Sequence, residues 1–135
     1  SKAIKFNLTG VKAPKPKKEI QMKILTKQIK EKLINQHKAC GHGENGQCLK
    51  PIVKLFGGSA CTWLLSELDP ETNIAFALCD LGMGTPELGY VSLDELMALK
   101  FAPFGLPIER DLHWEAEKSL WDYASESRSL GFIQA

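Results

Sequence analysis

With 135 residues, 44% of them apolar and 24% charged, the chain is sized for one globular core and is too short for two well-packed domains. Its apolar stretches are broken within about ten residues, against the roughly 20 that a bilayer span needs, and its lysine-rich start lacks the apolar core of a secretory signal, so neither a membrane span nor a secretory route is expected. The formal charge of +1 hides an asymmetry: residues 1–38 hold eleven lysines against Glu19 and Glu31, a balance of +9, while residues 39–135 hold six basic and fourteen acidic residues, a balance of −8.

Residues 1–18, with Ala13-Pro14-Lys15-Pro16-Lys17-Lys18, read as a poorly ordered basic extension ahead of a single domain over 19–135. Its Lys12, Lys15, Lys17 and Lys18 are candidate binding residues for nucleic acid or another polyanion; the plainer reading is that they keep the tail soluble or fold it back on the acidic body. Met22, Leu25, Ile29 and Leu33 then recur at helical steps with lysines opposite, which predicts an amphipathic helix. Thr26 offers an alternative N-cap that shortens it to roughly Lys27–Lys38. Gly41–Gln47 is a loop on composition.

Pro51–Phe56 reads as a first strand, Gly57-Gly58-Ser59 as a turn and Cys61–Leu68 as a central strand. Asp69-Pro70-Glu71-Thr72-Asn73 is a turn in which Asp caps and Pro pre-sets the backbone, and it returns the chain antiparallel through Ile74–Leu81. After Gly82-Met83-Gly84-Thr85-Pro86, Glu87–Val91 makes a fourth strand. Ser92 and Glu95 form an S-x-x-E capping box for a helix to about Lys100. Pro103-Phe104-Gly105-Leu106-Pro107 ends that helix, Ile108–Trp114 is extended or irregular, and Trp121–Ser129 is a last helix with Gly131 near its end. The sum is an α+β fold: an antiparallel meander of three or four strands packed with two or three helices, carrying a disordered basic N-terminal arm.

Thr62-Trp63-Leu64-Leu65-Ser66-Glu67-Leu68-Asp69-Pro70, Leu78-Cys79-Asp80-Leu81-Gly82-Met83-Gly84 and Pro86-Glu87-Leu88-Gly89-Tyr90-Val91-Ser92-Leu93 closely resemble the bacterial domain of unknown function 2958 family, and Gly105–Asp111 extends the likeness. It covers about Met22 to Arg128. The resemblance implies a cytoplasmic bacterial protein in a plasmid or mobile-element setting, and it implies no mechanism. The lysine-rich extension and the cysteine-bearing stretch Cys40–Cys48 depart from the family pattern.

Four groups of side chains are candidates for chemistry. His37, Cys40, His42 and Cys48 supply the donor types zinc takes, but Cys40-x-His42 is tight and the seven residues before Cys48 miss the usual spacing, so a plain loop is the favoured reading and no other cofactor is expected. Glu67, Asp69, Asp80, Glu87, Glu109 and Asp111 lie at predicted strand ends or turns, where carboxylates serve acid–base or cation chemistry, or simply cap. Arg110, between Glu109 and Asp111 and near His113, is suited to a carboxylate or phosphate, or to an internal ion pair. Cys61 and Cys79 read as small core residues; four scattered cysteines make no disulfide framework, and reduced thiols in the cytoplasm are expected. Gly57-x-Ser59-x-Cys61 lacks the last glycine of a nucleophile elbow, and Gly82-x-Gly84 lacks the continuation of a dinucleotide fingerprint. The function expected is therefore a non-enzymatic accessory or binding module of a mobile element, contacting a protein or nucleic acid. The alternative is a small hydrolase or metal-dependent enzyme using Asp80, Glu87, Glu109 and Asp111.

Overall fold

In a computed structural model of the protein, the described residues are 4–6, 24–39 and 49–135. Thr26 fixes the first helix: its Oγ1 accepts the N–H of Ile29 at 3.2 Å and its carbonyl accepts that of Lys30 at 3.0 Å. A side-chain cap satisfies one of the donors that a helix start leaves orphaned. Helix α1 is accordingly Lys27–Ala39, the shorter of the two predicted forms, with Ile24 and Leu25 buried ahead of it.

The strands are β1 Ile4–Phe6, β2 Val53–Gly57, β3 Cys61–Asp69, β4 Ile74–Asp80, β5 Glu87–Ser92 and β6 Glu109–Arg110, and they form one sheet in the order β1-β5-β4-β3-β2-β6. From β5 to β6 every neighbouring pair is antiparallel. Helix α2, Leu93–Ala98, starts where Ser92 Oγ accepts the Glu95 N–H at 3.3 Å. Helix α3, Leu120–Leu130, is capped by Ser119 and ended by Gly131 at φ 82°. The fold is α+β, as expected. A difference lies at Ile4–Phe6: where the extension was read as unpaired, these residues form a parallel strand on the outer edge of β5. An exposed edge presents unpaired N–H and C=O groups that a short segment can satisfy, and three strand residues are invisible in a composition averaged over lysines and prolines.

Alternation divides the core between the two faces of the sheet. Leu55, Trp63, Leu65, Leu68, Ala77 and Val91 pack with Leu33 of α1 and with Leu93, Leu96 and Met97 of α2. Leu64, Phe76, Leu78 and Leu88 pack with Leu120, Tyr123 and Ala124 of α3. Covered on both sides, β3 and β4 have continuous apolar runs, whereas β2 alternates buried with half-buried residues.

Two local features position the site. In β3 the register slips between Leu65, opposite Ala77, and Glu67, opposite Phe76, so Ser66 is the extra residue of a bulge. Pairing of β2 with β3 stops at Val53 opposite Leu65, and the Ser66 carbonyl beyond it accepts instead from Gln36 Nε2 of α1 at 2.6 Å. The last turn of α1 is thereby fastened beside the second half of β3.

At the other end of β2, a Cβ on Gly57 would lie 2.2 Å from Cε2 of Phe101. Gly57→Ala is expected to destabilise the fold by about 1–3 kcal/mol through overpacking. Urea unfolding measures this, and an unchanged midpoint would show that the Phe101 ring swings aside without loss.

Candidate functional site

Docking of α1 at the bulge brings His37 to Glu67. Nδ1 of His37 lies 3.2 Å from Oε1 of Glu67, and its Nε2 lies 3.9 Å from Oδ2 of Asp69. Glu67 is 3% exposed, so a carboxylate sits inside the sandwich. Removing a charge from water is expensive unless it is paired, and His37 supplies a partner. Asp69 ends the strand, where its Oδ1 accepts the Glu71 N–H at 2.9 Å. This is the predicted Asp-Pro turn, completed by Asn73 at φ 59°.

With Thr72, Ile74, Phe76 and Tyr90, these three side chains line a cleft of about 400 Å³. The Phe76 and Tyr90 rings meet edge to face with centroids 5.2 Å apart and form its aromatic side. Nδ1 of His37 is within hydrogen-bond reach of Glu67, whereas the 3.9 Å from Nε2 to Asp69 is too long for a hydrogen bond. Two carboxyl side chains thus stand beside one imidazole in the lining. A negative rim beside aromatic faces suits a cation.

The Glu71 backbone hydrogen bond, and after it the nearby His37 ring, hold the Asp69 carboxyl below its ordinary value of 3.8. A carboxylate whose folded pKa is depressed adds stability that is present above the unfolded value and is lost as pH falls through the folded one. Asp69→Asn should therefore flatten the fall of Tm with pH below 3.8; parallel curves for the two proteins would remove Asp69 from the acid limb.

The other acidic candidates do not converge. Asp80 is 4% exposed, and its two oxygens accept from Gly82 N at 2.8 Å and from Ile133 N at 3.1 Å, fastening the glycine turn and the tail beyond α3. Glu87 is opposite Cys79, on the face of α1 and α2, so neighbouring Asp80 and Glu87 serve opposite faces. Glu109 lies on β6, separated from β5 by β4, β3 and β2. At about 4.8 Å per strand this is about 19 Å from Glu87. Asp111 faces Lys54 Nζ at 3.9 Å and accepts the His113 N–H at 3.3 Å; His113 itself is exposed. Arg110 donates from Nε to the Ile24 carbonyl at 2.7 Å, tying β6 to the segment before α1.

Of the zinc candidates, Cys40, His42 and Cys48 lie outside the described residues, as do Lys12, Lys15, Lys17 and Lys18. Among the described residues, no group of three or more His, Cys, Asp or Glu side chains is arranged to hold a metal ion, and no helix is long and apolar enough to cross a membrane. Cys61 and Cys79 are free thiols. Burial first and the Glu87 charge second push the Cys79 thiol up, and burial followed by Asp80 does the same to Cys61, which disfavours the reactive thiolate in both.

Sequence reasoning missed Phe76 as a site residue, favoured core packing over base stacking for Tyr90, and placed His37 in a different set. The available signal was the alternation that sets Phe76 and Leu78 on one face of β4; the bulge that adds Glu67 to that face leaves no mark in composition.

A family model described as a protein of unknown function (DUF2958) matches residues 24–134. No curated protein and no solved structure matches the chain.

Proposed function

We propose that this chain, which belongs to the DUF2958 family, is a non-enzymatic binding module of a mobile genetic element that holds a protein partner by seating a lysine or arginine side chain in the cleft of His37, Glu67, Asp69, Phe76 and Tyr90. The observation that carries this reading is the pair of carboxylates, one of them 3% exposed, beside the two aromatic rings. Desolvated charge pairs are the ones that discriminate between partners, and aromatic faces add cation–π attraction. A cleft of about 400 Å³ is large enough to admit one long side chain. The mobile-element setting rests on the family resemblance alone, and the cytoplasmic setting on that resemblance together with the four scattered cysteines. Lys12, Lys15, Lys17 and Lys18 would add sequence-independent attraction to a polyanion such as nucleic acid. The hydrolase alternative draws less support, because Asp80, Glu87, Glu109 and Asp111 are spread over both faces and toward both edges of the sheet.

The test is fluorescence anisotropy with labelled peptides that differ only in a central lysine, arginine or norleucine. Lysine and arginine peptides are expected to bind at least about tenfold more tightly than norleucine, a gap of about 1.4 kcal/mol. Equal affinity for all three would reject cation recognition.

A further inference from the structure

The outer edge of β5 is closed by a three-residue strand. Among the described residues β1 pairs with β5, in the parallel register Ile4 with Gly89, Lys5 with Tyr90 and Phe6 with Val91, and covers the middle of Glu87–Ser92. Parallel pairing is the weaker kind per residue, and a pair this short gains little. A longer free strand can compete for an edge covered by so short a pair.

The position of the edge matters as much as its weakness. Tyr90, the centre of the β1 register, is also a wall of the cleft. A strand on this edge therefore runs directly beside the Tyr90 wall of the cleft, in one cross-sheet row with Phe76 and Glu67, the last about 14 Å away at about 4.8 Å per strand. The residue at the register position of Tyr90 in the chain's own strand is Lys5, between Ile4 and Phe6.

We propose that the β5 edge is a strand-addition site for an extended apolar–basic–apolar segment of the partner protein, and that Ile4–Phe6 is its built-in competitor. The edge stands on the register; only the basic character of the central residue rests on the cleft reading. Backbone pairing supplies the affinity and the side chain beside the cleft supplies selection, as in other strand-addition complexes.

The experiment uses the full chain, its Phe6→Pro variant and a labelled peptide of residues 1–10 of this sequence as the competing strand. Leu93 N–H donates to the Asn73 carbonyl, so Gly89 and Val91 bond β4 while Tyr90 turns its N–H and C=O toward β1, where Phe6 N–H is a donor to it. Proline at position 6 removes that ladder donor and bars regular pairing of β1, leaving the rest of the sheet untouched. The variant should bind the peptide at least about tenfold more tightly than the unsubstituted chain, and its Tyr90 amide should exchange faster until peptide is added. In the unsubstituted chain, saturating peptide should release Ile4–Phe6 and abolish the exchange protection of the Phe6 amide, a result that needs no variant. Equal affinities, or unchanged protection of Phe6 at saturation, would overturn the site. A concentration-dependent dimer of the unsubstituted chain, lost in Phe6→Pro, would assign the edge to a second copy and overturn the partner reading. A peptide carrying Lys5→Ala separates the two proposals: binding that survives this change keeps the edge and removes the cleft, whereas no binding by either peptide removes the edge while leaving the cleft to its own test.

Discussion

Asp80→Ala is expected to lower the unfolding free energy by about 3 kcal/mol and Tm by roughly 10 °C. The reason is that both carboxylate oxygens are used inside the fold, one on the Gly82 N–H and one on the Ile133 N–H, at a residue only 4% exposed. Removing the carboxylate leaves two backbone donors short of a charged acceptor, each a loss of roughly 1.5–3 kcal/mol when fully felt and less where water enters. Gly82, at φ 79°, is held in a conformation that this bond helps to fix. Asp80→Asn should fall between the two, since its amide oxygen can serve one N–H while its nitrogen faces the other. Calorimetry on the three proteins checks the series. A Tm for Asp80→Ala within about 2 °C of the parent, where loss of one such bond would exceed that, would mean that the turn and the tail hold without it, and would return Asp80 to the list of residues available for chemistry.

Glu67→Gln is expected to weaken lysine-peptide binding about thirtyfold, the effect of about 2 kcal/mol, with little change in Tm. Glutamine keeps the shape and can still accept from His37 Nδ1, so the packing of α1 on β3 survives while the charge is gone. Glu67→Leu should abolish binding and also lower Tm, because it strips His37 of this partner at a half-buried position. Anisotropy and thermal melts on the same samples separate the two effects. Retained affinity in Glu67→Gln would assign Glu67 to orienting His37 and would move recognition to Asp69.

Much of the architecture was readable because it is local. Thr26, Ser92 and Gly131 announce helix ends through chemistry that acts within one turn, and Asp69-Pro70 announces its hairpin in the same way. The β3 run, with Trp63 and Leu64, reads as a central strand and the β4 run, with Phe76 and Leu78, as its antiparallel return, and both are buried on two faces. The site was not readable as a unit. Its acidic members were on the candidate list, but they were grouped with Asp80 and Glu87 by type, whereas face and strand order decide which carboxylates meet. One bulged residue, Ser66, determines the face on which Glu67 lies, and a contact between residues 37 and 67 depends on how a helix docks. The β1 strand was hidden for the opposite reason: its three residues are ordinary, and only the empty edge across the molecule gives them a place.

The two-sided burial of β3 and β4 bears on how this domain can drift over time. In a block where apolar side chains fill both faces, random change favours replacing a carboxylate by leucine or valine, because that removes a desolvated charge and keeps the volume. Asp80 resists such replacement through the backbone donors it holds, so its persistence among relatives would speak only of folding. Glu67 holds a side chain from another helix beside an open cleft. An acid maintained at that position through long divergence, while its apolar neighbours interchange freely, would be the inherited trace of a ligand.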